Sequence, residues 1–373
     1  MATKRKADGL QPVGDEQPKV AALEPEKKRQ WSEDTGTVGV YEILKTHKLG
    51  SGAFGDVYLG RHRNTKQRVA VKIFKKNALK NGVSLDVLRE VKLLVEFQEA
   101  GSHPNVISLF EFRQYEGNLA TVMDYCFTDL RRVIADVDND SLGDADIKCY
   151  TLQMLRGIEW LHKSWCLHRD LKPENLLISP SGHLKISDFG LAKQYATDRD
   201  VHREIVVTIT YRSPELLFAE LQPVPNHALS RKINMAPCID MWSAGCILGE
   251  MMRRQVLFRA TSDNAEQQLE TIFQLCGTPS AENWPDREQV PGYVEFSAQP
   301  KSYLPSVFQA CDRQLVNLLS ELLQLSPSRR LSAKNALHHV VFKPEHKPAT
   351  SEPEELETVR QHRRRTMHKA NQR

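Results

Sequence analysis

Residues 166–177 read CLHRDLKPENLL and, after the turn residues PSGH at 180–183, residues 184–193 read LKISDFGLAK. Taken singly, these residues suit a capped loop, a surface lysine and a turn. Taken together they suit one chemistry. Asp170 is a carboxylate that can accept or orient a hydroxyl proton, and Lys172 is a cation that can screen a transferring anionic group. Asn175 and Asp188 supply the amide and carboxylate oxygens that a hard cation such as Mg2+ prefers. Phosphoryl transfer asks little covalent help of a protein; it asks that nucleophile, phosphates and metal be held in line and the developing charge be screened.

Upstream residues extend this reading. GSGAFG at 50–55 carries Gly50, Gly52 and Gly55. Glycines at this spacing also mark dinucleotide-binding turns, but that fold starts a helix at the third glycine. Here DVYLGRH (56–62) alternates as a strand instead, with Val57 and Leu59 on one face, so a hairpin lying over phosphates fits better. VAVK at 69–72 puts Lys72 near the end of the next strand. SLDVLREVKLLVEF (84–97) has apolar residues at 85, 87, 88, 91, 94 and 95, one face of a helix, with Ser84 and Asp86 near its start. Glu90 on that helix is placed to reach Lys72 and fix its ammonium against nucleotide phosphates.

The surrounding pattern is α+β. YEILKTHKLG, DVYLGRH and QRVAVKIF read as three antiparallel strands, with further strands expected at 106–113 and 119–125. Beyond Leu130 helical periods dominate, as in IKCYTLQMLRGIEWLHK and IDMWSAGCILGEMMRR. The expected layout is a disordered charged tail at 1–37, a domain at 38–342 with a strand-rich lobe (38–125) and a helical lobe (126–342), and a charged tail at 343–373.

The chain has 373 residues, is 40% hydrophobic and carries a net charge of +4, ordinary values for a soluble protein. The basic excess sits partly in KRK (4–6), KKR (27–29) and RRR (363–365), so charge alone indicates no direct nucleic-acid binding. The first two runs can be read as nuclear import signals, though solvated charge is the simpler reading. Seven scattered cysteines without a CxxC pair suit reduced thiols and argue against disulfides and zinc. With no apolar leader and no run long enough to span a bilayer, no membrane association is expected, and a nuclear or cytoplasmic location is.

GSGAFGDV, VAVK, REVKLL, HRDLKPEN and DFGLAK, in this order, resemble the eukaryotic protein kinase family from about Tyr41 to Phe342. The resemblance implies a two-lobe fold, ATP and Mg2+ as cofactors, and Ser/Thr residues of protein substrates as acceptors. It assigns catalysis to Asp170, Lys172 and Asn175, the metal to Asn175 and Asp188, and nucleotide contacts to Gly50, Gly52, Gly55, Val57, Ala70, Lys72 and Glu90. The adenine edge would meet backbone groups of Asp124 and Cys126 in the hinge MDYCF, behind a Met123 gatekeeper. LREVKLL, HPNVISL and GTPSAENWPDREQVPGYVEF are similar to the cyclin-dependent kinases, their kinase-activating members in particular. That branch implies a cyclin-like regulatory subunit pressing on the Glu90 helix and a preference for proline after the phosphoacceptor. Mitogen-activated kinases are the alternative, but the Thr-x-Tyr pair they carry is missing from DRDVHREIVVT. A catalytically silent scaffold is the other, although the residues that silent kinases lose are all present.

The resemblance also exposes departures. Arg203 stands where the activating threonine is expected, opposite cations at Arg89, Arg169 and Lys193, and Glu204 beside it could act as a permanent anion. Val206, Val207 and Arg212 match the pocket for the residue after the phosphoacceptor, whereas Ile209 and Thr210 replace the usual Arg or Leu and Trp. Ala53 and Phe54 replace an inhibitory Thr-Tyr pair. Thr197 and Thr208 remain as alternative phosphorylation sites. Glu215 is expected to pair with Arg330, Asp240 to brace the catalytic loop, and the extra residues around 219–237 to form a surface loop or a docking site.

Overall fold

The computed structural model describes residues 35–52, 55–75, 85–136, 142–195, 208–221, 236–299 and 303–343. The small lobe is a six-stranded antiparallel sheet in the order β1-β2-β3-β4-β6-β5. Its strands are β1 (Thr35–Val38), β2 (Tyr41–Ser51), β3 (Gly55–His62), β4 (Arg68–Phe74), β5 (Leu109–Tyr115) and β6 (Asn118–Asp124). The three strands read from residues 41–74 are β2 to β4. β1 takes in Thr35–Thr37, residues that the sequence reading counted with the tail.

Side chains alternate across a strand, and this decides what β4 presents to each face. Val69 and Val71 are fully buried with Ile43, Ala120 and Val122 in the core of the sheet. Ala70 and Lys72 lie on the opposite face. Gly55 is required by packing, because a Cβ there would meet the Ile73 carbonyl oxygen at 2.5 Å.

Helix α1 (Leu85–Glu99) follows β4. Its inward residues are Val87, Glu90, Val91, Leu93, Leu94 and Phe97, whereas Leu88 and Val95 are 46% and 37% exposed. The apolar face expected from spacing is therefore split: part packs into the protein, and Leu88 and Val95, two turns apart on one stripe, face outward. The strand expected at 106–113 starts later, at Leu109. Residues before it pair elsewhere: Val106 forms a parallel bridge with Ile186, Ile107 N donates to Ile186 O at 2.9 Å, and Asn105 Nδ2 donates to Leu184 O at 2.9 Å. This segment of the small lobe is thus clipped to the large one. The clip needs Gly157, since a Cβ there would lie 2.8 Å from Asn105 O and 2.7 Å from Ile186.

The large lobe contains α2 (Leu130–Ala135), α3 (Asp144–Lys163), α4 (Pro214–Leu221), α5 (Cys238–Arg253), α6 (Ala265–Cys276), α7 (Leu304–Val307), α8 (Arg313–Leu322) and α9 (Ala333–Ala336). Side chains of Asp129, Asn264, Asp312 and Ser332 accept first-turn N–H groups and so fix where α2, α6, α8 and α9 begin. Short strands β7 (Thr128–Asp129), β9 (Leu176–Ile178) and β10 (Leu184–Ile186) form one sheet, and β8 (Cys166–Leu167) pairs with β11 (Lys193–Gln194). Helix α5 is buried on every side from Ile239 to Met251, which makes it the axis of the lobe. Among the described residues no helix is long and apolar enough to cross a membrane, and all seven cysteines are free thiols.

A charge inside such a core must be paired. Arg330 donates to Glu215 through two nitrogens, at 2.7 and 3.0 Å, as the sequence led one to expect, and also to the carbonyls of Cys238, Gln324 and Leu325. Its guanidinium lies 5.1 Å from the Trp242 ring centre. Arg330→Leu strands the Glu215 carboxylate, so urea denaturation is expected to show a loss of about 4 kcal/mol, with part of it recovered in the Arg330→Leu/Glu215→Leu double variant.

Candidate active site

The site lies between the sheet and the helical lobe. Gly50 pairs with Val57 across the β2–β3 hairpin, Val57 pairs with Lys72, and Ala70 with Met123 of β6. Gly52 N donates to Gly55 O at 2.8 Å, closing the turn backbone, and Lys75 Nζ donates to Gly52 O at 2.9 Å. Ala53 and Phe54 lie outside the described residues. Lys72 Nζ reaches both carboxylate oxygens of Glu90 at 2.7 Å. Glu90 is 5% exposed, and burial pushes its carboxyl above the ordinary range, with the nearby Asp188 adding to the effect and Lys72 opposing it.

The catalytic loop follows β8. Lys172 Nζ donates to Asp170 Oδ2 at 2.7 Å, and Asn175 Nδ2 donates to Asp170 O at 2.8 Å and to Oδ2 at 3.2 Å. Asn175 is left with its amide oxygen as the acceptor for a cation. Ser187 N and Oγ both donate to Asn175 O, at 2.9 and 3.0 Å, which ties Asp188 to the loop. Asp188 itself sits at φ +66 and Arg169 at φ +70, left-handed conformations that non-glycine residues hold only when their surroundings enforce them.

The enforcement at Arg169 is visible. Asp240 of α5 accepts from His168 N at 3.0 Å, Arg169 N at 2.9 Å and His162 Nε2 at 2.9 Å. Burial alone would raise the Asp240 carboxyl, but these donors outweigh it and hold the group below the ordinary range. His168 spans the loop: its Nδ1 accepts from Asp170 N and its Nε2 donates to Ser187 O, which makes it the neutral Nε2-H tautomer. Phe189 is fully buried edge-on to Phe97 of α1 and 5.2 Å from the His168 ring. One aromatic stack therefore links α1, the Asp188 segment and the catalytic loop.

The hinge is β6 and the residues after it. Asp124 N donates to Ser108 O at 3.2 Å, and its carboxylate accepts from Ser108 N at 2.9 Å and pairs with Lys185 at 2.8 Å. Cys126 is half-buried, its thiol pushed up to about 12 by burial and by Asp124.

Of the cations expected around the activation segment, Arg89 Nη1 donates to Gly190 O at 3.4 Å. Burial pushes Arg169 below the ordinary arginine range, and Arg89, near enough to repel it, adds to that. Lys193 sits in β11 opposite Leu167. Thr197, Arg203, Glu204, Val206, Val207 and most of the extra loop lie outside the described residues. Arg212 is buried in an ion pair with Glu220.

Two groupings escaped the sequence reading. Thr208 Oγ1 accepts from Lys172 Nζ at 3.3 Å and lies 3.5 Å from Asp170 Oδ1, so its hydroxyl joins the catalytic cluster. Its only signal was its place two residues before TYRSPE. Tyr211 donates to the fully buried Glu250 at 2.6 Å; Glu250 also pairs with Arg131, which reaches Glu174 of the catalytic loop at 3.3 Å. No spacing rule connects those four residues.

The raised Glu90 carboxyl sets a pH dependence. A raised acid takes up its proton at a higher pH than its ordinary 4.5, so on acidification the Lys72 pair loses its charge early. Affinity for a nucleotide analogue is expected to start falling above the usual carboxylate range, with no such limb in Glu90→Gln, as isothermal titration across pH will show. For stability the sign is reversed: the burial cost of ionised Glu90 is absent at low pH and grows as pH rises through the folded pKa.

Comparison with known proteins agrees with this geometry. The protein kinase domain family model matches residues 43–342. Cyclin-dependent kinase 7 of Xenopus laevis is 39% identical over 297 residues, covering 79% of each chain. Cyclin-dependent kinase D-1 of Oryza sativa subsp. indica is 36% identical over 325 residues, 87% of this chain and 72% of that one. A chain in the structure of the CAK complex from Chaetomium thermophilum bound to ATP-gamma-S superposes with a TM-score of 0.72 at 33% identity, covering 83% of this chain and 93% of that chain. The assembled lysine–glutamate pair, catalytic loop and Asp188 segment are those of a protein-serine/threonine kinase, and the chain belongs to the protein kinase family, on its cyclin-dependent kinase branch.

Proposed function

We propose that this kinase transfers the γ-phosphate of MgATP to serine or threonine hydroxyls followed by proline in protein substrates, and that a cyclin-like subunit governs it. The observation that carries the reading is the assembled Asp170–Lys172–Thr208 cluster together with a formed Lys72–Glu90 pair. The donor set fits the cofactor. Among the described residues no group of three or more His, Cys, Asp or Glu side chains could hold a metal by itself. One carboxylate, Asp188, and one amide, Asn175, suit Mg2+, which keeps water and takes its remaining ligands from phosphates. When bound, MgATP supplies the phosphoryl group and the charge that neutralises it.

The chain's own residues do the rest. Lys72, fixed by Glu90, positions phosphate oxygens, and the glycine turn brings backbone N–H groups over them. Asp170 accepts the proton of the substrate hydroxyl. Lys172 holds that carboxylate in place and screens the charge in transit, while Thr208 orients both. Cyclin control is supported by the cyclin-dependent relatives and by the exposed Leu88 and Val95 on α1, which give a partner apolar surface beside Glu90; proline direction rests on Val206, Val207 and Arg212 of the sequence.

Transfer from labelled ATP to Ser-Pro, Thr-Pro and Ser-Ala peptides tests the proposal. Asp170→Asn is expected to lower kcat by about 10³-fold while nucleotide affinity stays close to wild type; an active Asp170→Asn protein overturns the role given to it. Equal rates on Ser-Pro and Ser-Ala overturn proline direction. Thr208→Val is expected to reduce kcat about tenfold and Thr208→Ser to restore it, because only the hydroxyl is needed. Leu88→Glu is expected to abolish stimulation by a cyclin subunit without changing the affinity of the lone chain for nucleotide.

A further inference from the structure

A set of polar contacts holds the glycine turn from the face of the sheet that does not carry Lys72. Side chains alternate along β3 and β4, and Val57 sits opposite Lys72 on one face. Asp56 sits opposite Ile73 on the other face, and across β2 it sits opposite Ser51. Ser51 Oγ donates to Asp56 Oδ1 at 2.6 Å, and Lys48 Nζ pairs with the same oxygen at 3.1 Å. Lys75, one residue past the end of β4, has its Nζ 3.8 Å from that oxygen and donates to Gly52 O at 2.9 Å. One carboxylate thus gathers a hydroxyl and two ammonium groups, and one of those ammonium groups grips the backbone of the turn.

Packing does not order this end of the hairpin. A Cβ at Gly50 would meet nothing within 4 Å, and one at Gly52 would meet Gly55 O at 3.9 Å, whereas Gly55 is wedged against the Ile73 carbonyl. Glycine backbone in open space is costly to fix in one conformation. Gly52 is fixed by hydrogen bonds instead, its N–H on Gly55 O and its carbonyl under Lys75. Bonds from Ser51 and Lys48 hold the Asp56 carboxyl below the ordinary range, so at neutral pH it is a full anion beside Lys75. These contacts lie at the surface, with the side chains of Lys75 and Asp56 43% and 26% exposed, so each is individually weak.

We propose that Lys75 and Asp56 are positioning residues for phosphoryl transfer: Asp56 holds the Lys75 ammonium on the Gly52 carbonyl, and Lys75 thereby orders the glycine turn before the nucleotide phosphates arrive. The inference rests on the reading of this site as one for MgATP. Neither side chain touches the nucleotide. Their contribution is preorganisation, which relieves the ligand of the cost of ordering the turn that receives its phosphates.

The test is isothermal titration of the full chain with a non-hydrolysable ATP analogue plus Mg2+, and with adenosine, which has no phosphates. The proteins are the intact chain, Lys75→Met, Lys75→Arg, Asp56→Asn and the Lys75→Met/Asp56→Asn double variant. Lys75→Met is expected to weaken the ATP analogue about fivefold and to leave adenosine unchanged, and Lys75→Arg to restore the affinity. Asp56→Asn is expected to weaken the analogue as well, and the double variant to bind it no worse than Lys75→Met alone, because Asp56 acts through Lys75. Unchanged affinity in Lys75→Met overturns the proposal, and so does an equal loss for adenosine, which would mean general disruption. Tighter binding in Asp56→Asn also overturns it, since a freed Lys75 would then be meeting the phosphates itself, and fully additive losses overturn the coupling of the two residues. An intact chain that binds neither ligand overturns the MgATP reading beneath the inference, whereas one that binds both and is indifferent to Lys75→Met overturns the inference alone.

Discussion

A single buried carboxylate fixes the geometry on which the catalytic groups depend. Asp240 sits in the middle of the large lobe, 1% exposed, at the start of the helix that forms the axis of that lobe. By accepting two consecutive backbone N–H groups it holds His168 and Arg169 in a shape that Arg169 would not adopt on its own. The next residue is Asp170. Its aim is therefore set by a helix of the core, and the cost of a left-handed backbone is offset by hydrogen bonds to a charged acceptor in a dry environment. His162 completes the satisfaction of that charge from α3.

From this anchor the order spreads through contacts of different kinds. His168 passes it to Ser187 by a hydrogen bond and to Phe189 by ring contact; Phe189 passes it to Phe97 on α1, the helix that carries Glu90. Glu90 in turn holds Lys72. Hydrogen bonds carry the order within the large lobe, and ring contact carries it across to α1 beside the Arg89–Gly190 and Gln194–Glu96 bonds. This division makes physical sense. The directional bonds keep reacting groups within tenths of an ångström, while the ring stack tolerates small shifts of α1 against the large lobe.

Much of this was legible because the chemistry is compressed into short motifs. Asp170, Lys172 and Asn175 lie within six residues, so their proximity follows from the chain itself, and Lys72 could be matched to Glu90 because the helix after its strand carries that carboxylate within reach. Asp240 and the Glu215–Arg330 pair were reached only through the family resemblance. Thr208 was read as a candidate phosphorylation site, since nothing local shows that its hydroxyl faces Lys172 from 36 residues away. The Tyr211–Glu250–Arg131–Glu174 chain was invisible for the same reason: it joins four elements, and each residue alone reads as an ordinary polar side chain. Helical periodicity identified α1 but could not say which half of its apolar stripe would be buried. Leu88 and Val95 carry the same pattern as Val91 and Leu94, and only the position of the large lobe separates them.

The clip between Asn105–Ile107 and Leu184–Ile186 bears on how the two lobes can move. Two bodies joined by one strand can pivot, twist and slide. A second junction beside the first, tied to it through Ser108 and Lys185 on Asp124, removes part of those freedoms. Gly157 makes that second junction possible by letting α3 come within contact of the Asn105 backbone. The two lobes are therefore held at the back of the cleft by a double join rather than by a single strand. A methyl group at position 157 would press on the Asn105 carbonyl and on Ile186, so one missing side chain on α3 decides whether the second half of that join can form.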